Sequence, residues 1–214
     1  MNKEPAKREI KQERAARTRL EILEAAITLF ARRGYLATTM ADLARAIRMT
    51  PGALYWHFPT KEDLLLAAIA DLHERYLREF VDLLTEHRKL PAREQLLAFM
   101  RRTTHFLGQH REYGIFFSLV AAESAESNDR VAEAIREKIA LYVEVLAGIL
   151  RYGQRTQEFR TDMEPQHLAH TLMGSYLGLL LHQNLFRTSV DYNPVMAALD
   201  GLVASGLPPT PTGS

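Results

Sequence analysis

The sequence predicts an all-α fold, in which an N-terminal three-helix helix-turn-helix domain precedes a C-terminal helical bundle. Helical periodicity recurs along the chain: Leu20, Leu23, Ile27 and Phe30 are spaced 3, 4 and 3 residues apart and therefore share one helix face. No sustained alternation of period two and no Asn-Gly or Asp-Gly turn indicates a β-hairpin. Most of the 11 glycines and 9 prolines lie between periodic segments rather than inside them.

Helix stop signals divide the chain into elements. Gly34 ends the first helix, as a left-handed cap position does. After two short helices, the pattern predicts helices over 62–88, 91–108, 112–124, 129–152, 165–187 and 194–205. We therefore expect a basic N-terminal arm (1–14), a helix-turn-helix domain (15–61), a C-terminal domain (62–206) and a flexible, proline-rich tail (207–214).

Length and composition limit the class of protein. A chain of 214 residues with 47% hydrophobic and 25% charged residues can bury a sizeable core without disulfides. The absence of cysteine excludes disulfides, thiolate metal sites and a cysteine nucleophile. The first residues lack the apolar segment of a secretory signal, and no apolar run is long enough to span a membrane. We expect a soluble, cytoplasmic protein.

The charge of the chain is unevenly distributed. Residues 1–61 carry 12 Lys and Arg against 6 Asp and Glu, whereas residues 62–214 carry 15 against 20. A basic first segment is typical of a polyanion-binding domain. A solvated helix face would give the same excess, so charge alone does not decide between the two.

Three helix starts lie between residues 38 and 63. Thr39 and Asp42 form a capping-box pattern, and Thr50 precedes Pro51, which is favoured at the first helical position. Thr60 repeats the Thr-x-x-acid pattern for the next helix. The two short helices between these starts have about two turns each and cannot be stable alone.

These helices must therefore pack against the first helix. Two short helices joined by a tight turn and supported by a third form a helix-turn-helix module, whose second helix (here 51–57) enters the major groove of DNA. The residues that we expect in its core are Met40, Leu43, Ala44, Ile47, Leu54 and Phe58.

Several runs in this region are recognisable. Residues 18–26 (TRLEILEAA), 51–58 (PGALYWHF) and 61–65 (KEDLL) resemble the tetracycline-repressor (TetR/AcrR) family of bacterial transcription regulators. The resemblance covers about residues 15–66. It implies a homodimeric repressor of a palindromic operator, with an N-terminal DNA-binding domain and a C-terminal domain for dimer contacts and for a small, lipophilic effector. Tilting of the long helix that begins near Thr60 would couple the two domains.

The resemblance and the helix geometry together suggest DNA-contacting residues. The hydroxyls of Thr38 and Thr39 can donate to a phosphate, and Arg48 in the turn can bind a guanine or a phosphate. Gly52 allows close approach of the helix to DNA. The family uses the position of Lys61 to hold a phosphate. The remaining candidates for groove, base or phosphate contacts are Thr50, Pro51, Ala53, Tyr55, Trp56 and His57.

Some of these residues have structural alternatives. Trp56 could instead cover the edge of the module, and His57 could be a structural hydrogen-bond partner. The N-terminal basic residues could bind the minor groove, remain a solvated tail or extend the first helix through a Glu13–Arg17 pair. The basic residues concerned are Lys3, Lys7, Arg8, Lys11, Arg14, Arg17 and Arg19.

The C-terminal domain should enclose an apolar ligand pocket, although most aromatic residues at helical spacing belong to an ordinary core. His105, Glu123 and His182 are candidates for polar groups that orient the ligand. The candidate lining residues are Tyr76, Phe80, Phe99, Thr103, Phe106, Phe116, Phe117, Tyr142, Met173 and Tyr176.

The helices at 165–187 and 194–205 correspond to the family's dimer interface. Gly174 and Gly178, four residues apart, permit close helix approach, either to a second copy or within one subunit. A dimer has a physical motive, because one recognition helix reads one half-site.

Enzyme motifs are missing from the sequence. His167 and His170 share a helix face, but no carboxylate pair completes a metal site with them. There is no phosphate-binding glycine loop, no Gly-x-Ser-x-Gly and no His-Glu-x-x-His. We expect no catalysis, metal or cofactor. The competing hypothesis is a helical ligand-binding or interaction protein without DNA-binding function.

Overall fold

The computed structural model describes residues 4–86, 89–124, 129–186 and 190–209. Over these ranges the chain forms α-helices and no strand, which confirms the predicted fold class. The helices are α1 (Glu4–Arg33), α2 (Met40–Ala46), α3 (Pro51–His57), α4 (Lys61–Glu86), α5 (Ala92–Gln109), α6 (Arg111–Ser124), α7 (Asp129–Arg155), α8 (Pro165–Phe186) and α9 (Tyr192–Gly206).

The three predicted helix starts are present with their caps. The Thr39 hydroxyl accepts from the amide of Asp42 at 3.1 Å, and the Asp42 carboxylate accepts from the amide of Thr39, which completes the capping box. The Thr50 hydroxyl accepts from the amide of Ala53 at 3.3 Å. At the start of α4, the Thr60 hydroxyl accepts from the amide of Asp63 at 3.0 Å. Local side-chain chemistry therefore sets all three helix boundaries.

The short helices α2 and α3 are buried against α1, as predicted. Leu54 and Phe58 are almost fully buried in the same core as Ile27 and Phe30. Arg19 of α1 lies with its guanidinium 4.2 Å from the centre of the Phe58 ring and donates to the His57 carbonyl. Packing and this clamp stabilise two helices that are too short to form alone.

The predicted N-terminal arm is not separate from the first helix. Helix α1 begins at Glu4, so the basic segment continues the helix. Arg17 pairs with Glu21 at 3.2 Å, rather than with Glu13. Lys3 lies outside the described residues, as do the side chains of Lys7, Arg8 and Lys11.

Helix α4 connects two hydrophobic cores. Its first half, including Leu65 and Leu72, packs in the core of the helix-turn-helix module, which also takes in Phe116 of α6. Phe80, near its other end, packs in the second core with α5, α7, α8 and α9. A shift of α4 would therefore change the packing of both domains.

Leu207, which the sequence assigned to a flexible tail, belongs to the folded bundle. Leu207 is buried in the second core, and its carbonyl accepts from the amide of Arg160 at 2.8 Å. This backbone bond anchors the end of α9 to the α7–α8 connection. Residues 210–214 lie outside the described part of the chain. Among the described helices, none is both long enough and apolar enough to cross a lipid bilayer.

Candidate nucleic-acid interface and effector cavity

Helix α3 presents an exposed face with large side chains. Trp56 is 74% exposed and Tyr55 49% exposed, although both are aromatic. A Cβ added at Gly52 would meet no protein atom within 4 Å. Thr50, Pro51 and Gly52 are exposed at the helix start. The expected base-reading surface is therefore open to an external partner.

Trp56 and His57 differ in exposure. Their rings pack edge to face with centres 4.7 Å apart. His57 is half-buried, and partial burial together with the charge of Arg19 lowers the pKa of His57. A neutral imidazole at pH 7 is a hydrogen-bonding group rather than a cation. Trp56 covers little of the module and is the better placed of the two for an outside contact.

The two adjacent threonines have different roles. Thr39 is exposed at the N-terminus of α2, where its hydroxyl also donates to Asp42 at 2.6 Å. The prediction that the Thr38 hydroxyl donates to a phosphate is not met. The Thr38 side chain is fully buried, and its hydroxyl donates to the Gly34 carbonyl at 2.7 Å. Thr38 thus stabilises the α1–α2 turn and is not available to a phosphate.

Arg48 lies exposed in the turn between α2 and α3 with a φ of 55°. This left-handed conformation strains every residue with a Cβ, and glycine avoids that strain. The turn places Arg48 beside the start of α3, the helix that carries the exposed face.

The Lys61 side chain makes several contacts within the protein that the sequence did not predict. Its ammonium donates to the carbonyls of Tyr35 and Thr38, each at 2.9 Å, and lies 4.3 Å from the centre of the Tyr35 ring. Burial lowers the pKa of Lys61, with the charge of Glu123 opposing that shift. An ammonium has three protons, and these two carbonyls accept from two of them.

A cavity of about 80 Å³ lies in the C-terminal bundle. Eight of the ten lining residues proposed from the sequence do line this cavity. Phe80 lies outside it, with its ring tilted against that of Tyr76 and the ring centres 4.3 Å apart, and Phe116 is fully buried in the first core. The lining residues are Leu72, Tyr76, Phe99, Thr103, Phe106, Leu107, Tyr113, Gly114, Phe117, Ile139, Tyr142, Leu146, Met173, Tyr176, Leu177 and Leu180.

Sequence reasoning missed about half of this lining. The missed residues are mainly aliphatic, and no sequence signal separates an aliphatic lining residue from a core residue. Tyr113 is the exception, because it precedes Phe117 by one helical turn and shares its face.

The three residues proposed to orient a ligand do not line the cavity, so that prediction is wrong. His105 is exposed and bonds Gln109, while His182 is exposed and bonds the Tyr192 hydroxyl. Both are occupied on the surface by neighbours along the chain.

Glu123 joins the two domains instead. At the end of α6, its carboxylate accepts from the backbone amides of Tyr35 at 2.7 Å and Leu36 at 3.2 Å, in the turn after α1. These amides carry no intrahelical bond of their own, so a carboxylate satisfies them. The sequence gives no signal for this contact, because it spans 88 residues.

A second connection joins the cavity to α1. The Tyr113 hydroxyl, on the cavity-lining side of α6, accepts from Arg75 of α4 at 2.6 Å. The Arg75 guanidinium also pairs with Asp71 at 2.7 Å and with Glu24 of α1. The Arg75 guanidinium of α4 therefore contacts both Tyr113 of the cavity wall and Glu24 of α1 in the DNA-binding module.

Helices α8 and α9 leave apolar surface exposed. Leu185 is 76%, Leu181 52% and Leu202 70% exposed. Gly174 and Gly178 are exposed on the same face of α8 as Leu181 and Leu185, and an added Cβ at either glycine would meet nothing within 4 Å. A face this apolar is typical of a protein interface.

An exposed recognition helix joined to a bundle that encloses an apolar cavity defines the class of ligand-responsive DNA-binding regulators. Comparison with known families agrees. Residues 22–68 match the profile of bacterial regulatory proteins of the tetR family, and residues 92–199 match the tetracyclin repressor-like C-terminal domain. The chain belongs to the TetR family and is a transcriptional regulator with a helix-turn-helix DNA-binding domain. The family consists of regulators rather than enzymes.

Individual transcriptional regulators are similar to this chain over different lengths. The chain is 45% identical over 65 residues to the HTH-type transcriptional regulator TtgR of Pseudomonas putida, covering 30% of this chain but only 31% of TtgR. It is 30% identical over 153 residues to the HTH-type transcriptional repressor KstR2 of Rhodococcus jostii, covering 68% of this chain and 70% of KstR2.

A solved structure shows the same fold. The chain superposes on a transcriptional regulator from Saccharomonospora viridis in complex with choline with a TM-score of 0.77. The superposition covers 90% of this chain and 98% of that one, at 24% identity. At this identity the match concerns the fold.

Proposed function

We propose that the protein is a homodimeric repressor that binds a palindromic operator in the cytoplasm and leaves it when a small lipophilic effector occupies the cavity. The observation that carries this proposal is the exposed face of α3, where Tyr55 and Trp56 stand out from a helix whose other side is buried. Two large exposed aromatic side chains beside an open glycine favour contact with an external partner. The proposal includes no catalytic activity.

Base recognition by this helix rests on a limited set of groups. Residues 51–54 contain no Asn, Gln or Arg, which are the side chains that make bidentate contacts with bases. Contact with thymine methyls by Pro51 and Ala53, and DNA shape, therefore contribute much of the specificity. Arg48 is the group best suited to a guanine, and Thr39 and Lys61 to phosphates.

The dimer explains how a short helix reaches useful affinity. Two half-sites one helical turn apart, about 34–36 Å, require two recognition helices held at that spacing. The exposed leucines of α8 and α9 supply an apolar surface for the second subunit. The same face carries the glycines that allow close approach of the helices.

Effector release requires that the cavity and the recognition helix respond to each other. Helix α4 packs in both cores, and Arg75 joins it to Tyr113 and to α1. Glu123 provides a further contact through α6. An effector that fits only one arrangement of these helices shifts the spacing of the recognition helices by its difference in affinity for the two states.

Selection from genomic DNA tests this proposal. The full chain is mixed with random fragments of the host genome at two salt concentrations, and the bound pool is sequenced, in parallel with Tyr55→Ala. We expect one enriched palindrome that Tyr55→Ala fails to recover, and weaker binding at higher salt because phosphate contacts release counterions. Binding without an enriched motif would favour the ligand-binding or interaction protein instead.

A further inference from the structure

The cavity wall contains no charged side chain among the described residues that line it. Its hydrogen-bonding side chains are four tyrosines and Thr103. All five hydroxyls already have partners within the protein. An ion placed in this cavity would lose its hydration shell and find no counterion on the wall.

The partners of these hydroxyls lie in and just behind the wall. Tyr76 donates to Thr103 at 2.9 Å, and Thr103 donates to the Phe99 carbonyl at 3.0 Å. The Tyr142 hydroxyl lies 2.6 Å from Nδ1 of His73. Burial raises the pKa of both Tyr76 and Tyr142, as expected where water is excluded.

The charged groups behind the wall are also occupied. Tyr176 donates to the Asp200 carboxylate at 3.2 Å. Arg75, behind Tyr113, pairs with Asp71 and Glu24. Burial, together with the charge of Lys138, lowers the pKa of His73, so this imidazole is neutral at pH 7. None of these groups supplies an unpaired charge to a ligand.

The aromatic rings do not form an open cage for a cation. Tyr76 meets Phe106 and Tyr142 edge to face, with ring centres 5.2 and 4.7 Å apart, and a tilted Phe80 ring also packs against it. Rings packed against one another in this way present few free faces to an ammonium ion.

We propose that the effector is an uncharged molecule, and that the cavity rejects both carboxylates and quaternary ammonium ions of the same shape. This inference rests on the proposed function, because it concerns the effector of that regulator. It separates this chain from its structural neighbour solved with choline, despite the shared fold.

Three small probes test the inference. Choline and 3,3-dimethyl-1-butanol have the same shape and differ by a positive nitrogen in place of a carbon, and 3,3-dimethylbutanoate supplies the negative charge. Each is titrated into the full chain by calorimetry at pH 7. We expect the alcohol to bind at least about tenfold more tightly than either ion. Equal or tighter binding of an ion, or no binding of the alcohol, would overturn the inference.

Cavity-filling variants locate the binding. Met173→Phe and Leu177→Phe each place a larger side chain on the wall, and their folding is checked by circular dichroism. In whichever variant folds, the affinity for the alcohol should fall at least about tenfold. Unchanged affinity would mean that the alcohol binds elsewhere and would also overturn the inference.

Operator binding is measured separately in the same preparations without any probe. If the chain recovers its palindrome but prefers choline, the regulator stands and only the uncharged-effector inference falls. If the chain recovers no palindrome, the proposed function falls whatever the probes do.

Discussion

Gly52 occupies a position of α3 at which a side chain would extend into open space beside the exposed aromatic residues. Gly52→Ala should therefore leave the melting temperature unchanged or slightly higher, since alanine favours a helix over glycine by up to about 1 kcal/mol. Operator affinity, measured by fluorescence anisotropy, should fall about tenfold because the added methyl group separates the helix from DNA.

Gly108→Ala is the matched control for Gly52→Ala. Gly108 is also helical and exposed, with nothing within 4 Å of an added Cβ, but it lies on α5 in the C-terminal domain. The operator affinity of the Gly108→Ala variant should equal that of the wild type. Equal affinity of Gly52→Ala and the wild type would show that α3 does not approach DNA closely.

Arg48 gives a prediction with opposite effects on stability and binding. Arg48→Gly removes the strain of a φ of 55° and should stabilise the fold by about 1 kcal/mol in chemical denaturation. The same change should weaken operator binding about tenfold, because a cation at the DNA surface is lost.

Gln157→Gly is the control that relieves the same backbone strain without removing a side chain from the expected DNA-binding surface. Gln157 has a φ of 61° in the α7–α8 connection, so its replacement should stabilise the fold similarly without changing operator affinity. If Arg48→Gly binds the operator as well as Gln157→Gly does, Arg48 has no DNA contact.

Residue types alone predicted part of the candidate site. The caps at Thr39 and Thr50 follow from their spacing to the next helix. Thr38 and Thr39 cannot be told apart in sequence, however, because which one is buried depends on how the α1–α2 turn packs. The role of Lys61 was incomplete for a similar reason, since its two carbonyl partners lie 23 and 26 residues away.

At the scale of elements, helix α6 connects the cavity to the helix-turn-helix module. The sequence did not predict this connection. Glu123→Ala removes the acceptor for the amides of Tyr35 and Leu36. Both donors, the first of them partly buried, then lose a charged partner, so the module should lose about 1–3 kcal/mol of stability. Amide hydrogen exchange should speed up at Tyr35 and Leu36 in particular.

A second change on α6 serves as the control. Glu112→Ala removes an exposed carboxylate from the other end of α6 and should leave exchange at Tyr35 and Leu36 unchanged. Unaltered exchange in Glu123→Ala would show that this contact does not hold the turn.

Helix positions were largely predictable because periodicity and caps are local. The predicted helix over 165–187 ends at Phe186 in the described residues, and the one over 91–108 runs from Ala92 to Gln109. The arm and the tail were less predictable. Helix α1 extends to Glu4, and Leu207 is buried through contacts that only the folded bundle provides.

At the scale of the whole molecule, the apolar face of α8 and α9 determines whether two recognition helices act together. Leu185→Glu places a charge where we expect a second subunit, so sedimentation velocity should show a monomer. Operator affinity should then fall by about 100-fold or more, because the two half-sites are no longer linked.

Leu141→Glu provides the comparison for this variant. Leu141 is 44% exposed on α7 and is not part of α8 or α9, so its replacement should change neither mass nor affinity. A dimer that persists in Leu185→Glu would place the interface elsewhere on the chain.

The central claim is that two copies of α3 read two half-sites on one face of DNA. Inserting about five base pairs, half a helical turn, between the half-sites of the selected palindrome turns them to opposite faces of the duplex while leaving both sequences intact. Anisotropy titration of the wild-type chain should give an affinity for this DNA close to that for a single half-site. An affinity equal to that for the uninterrupted operator would contradict the claim.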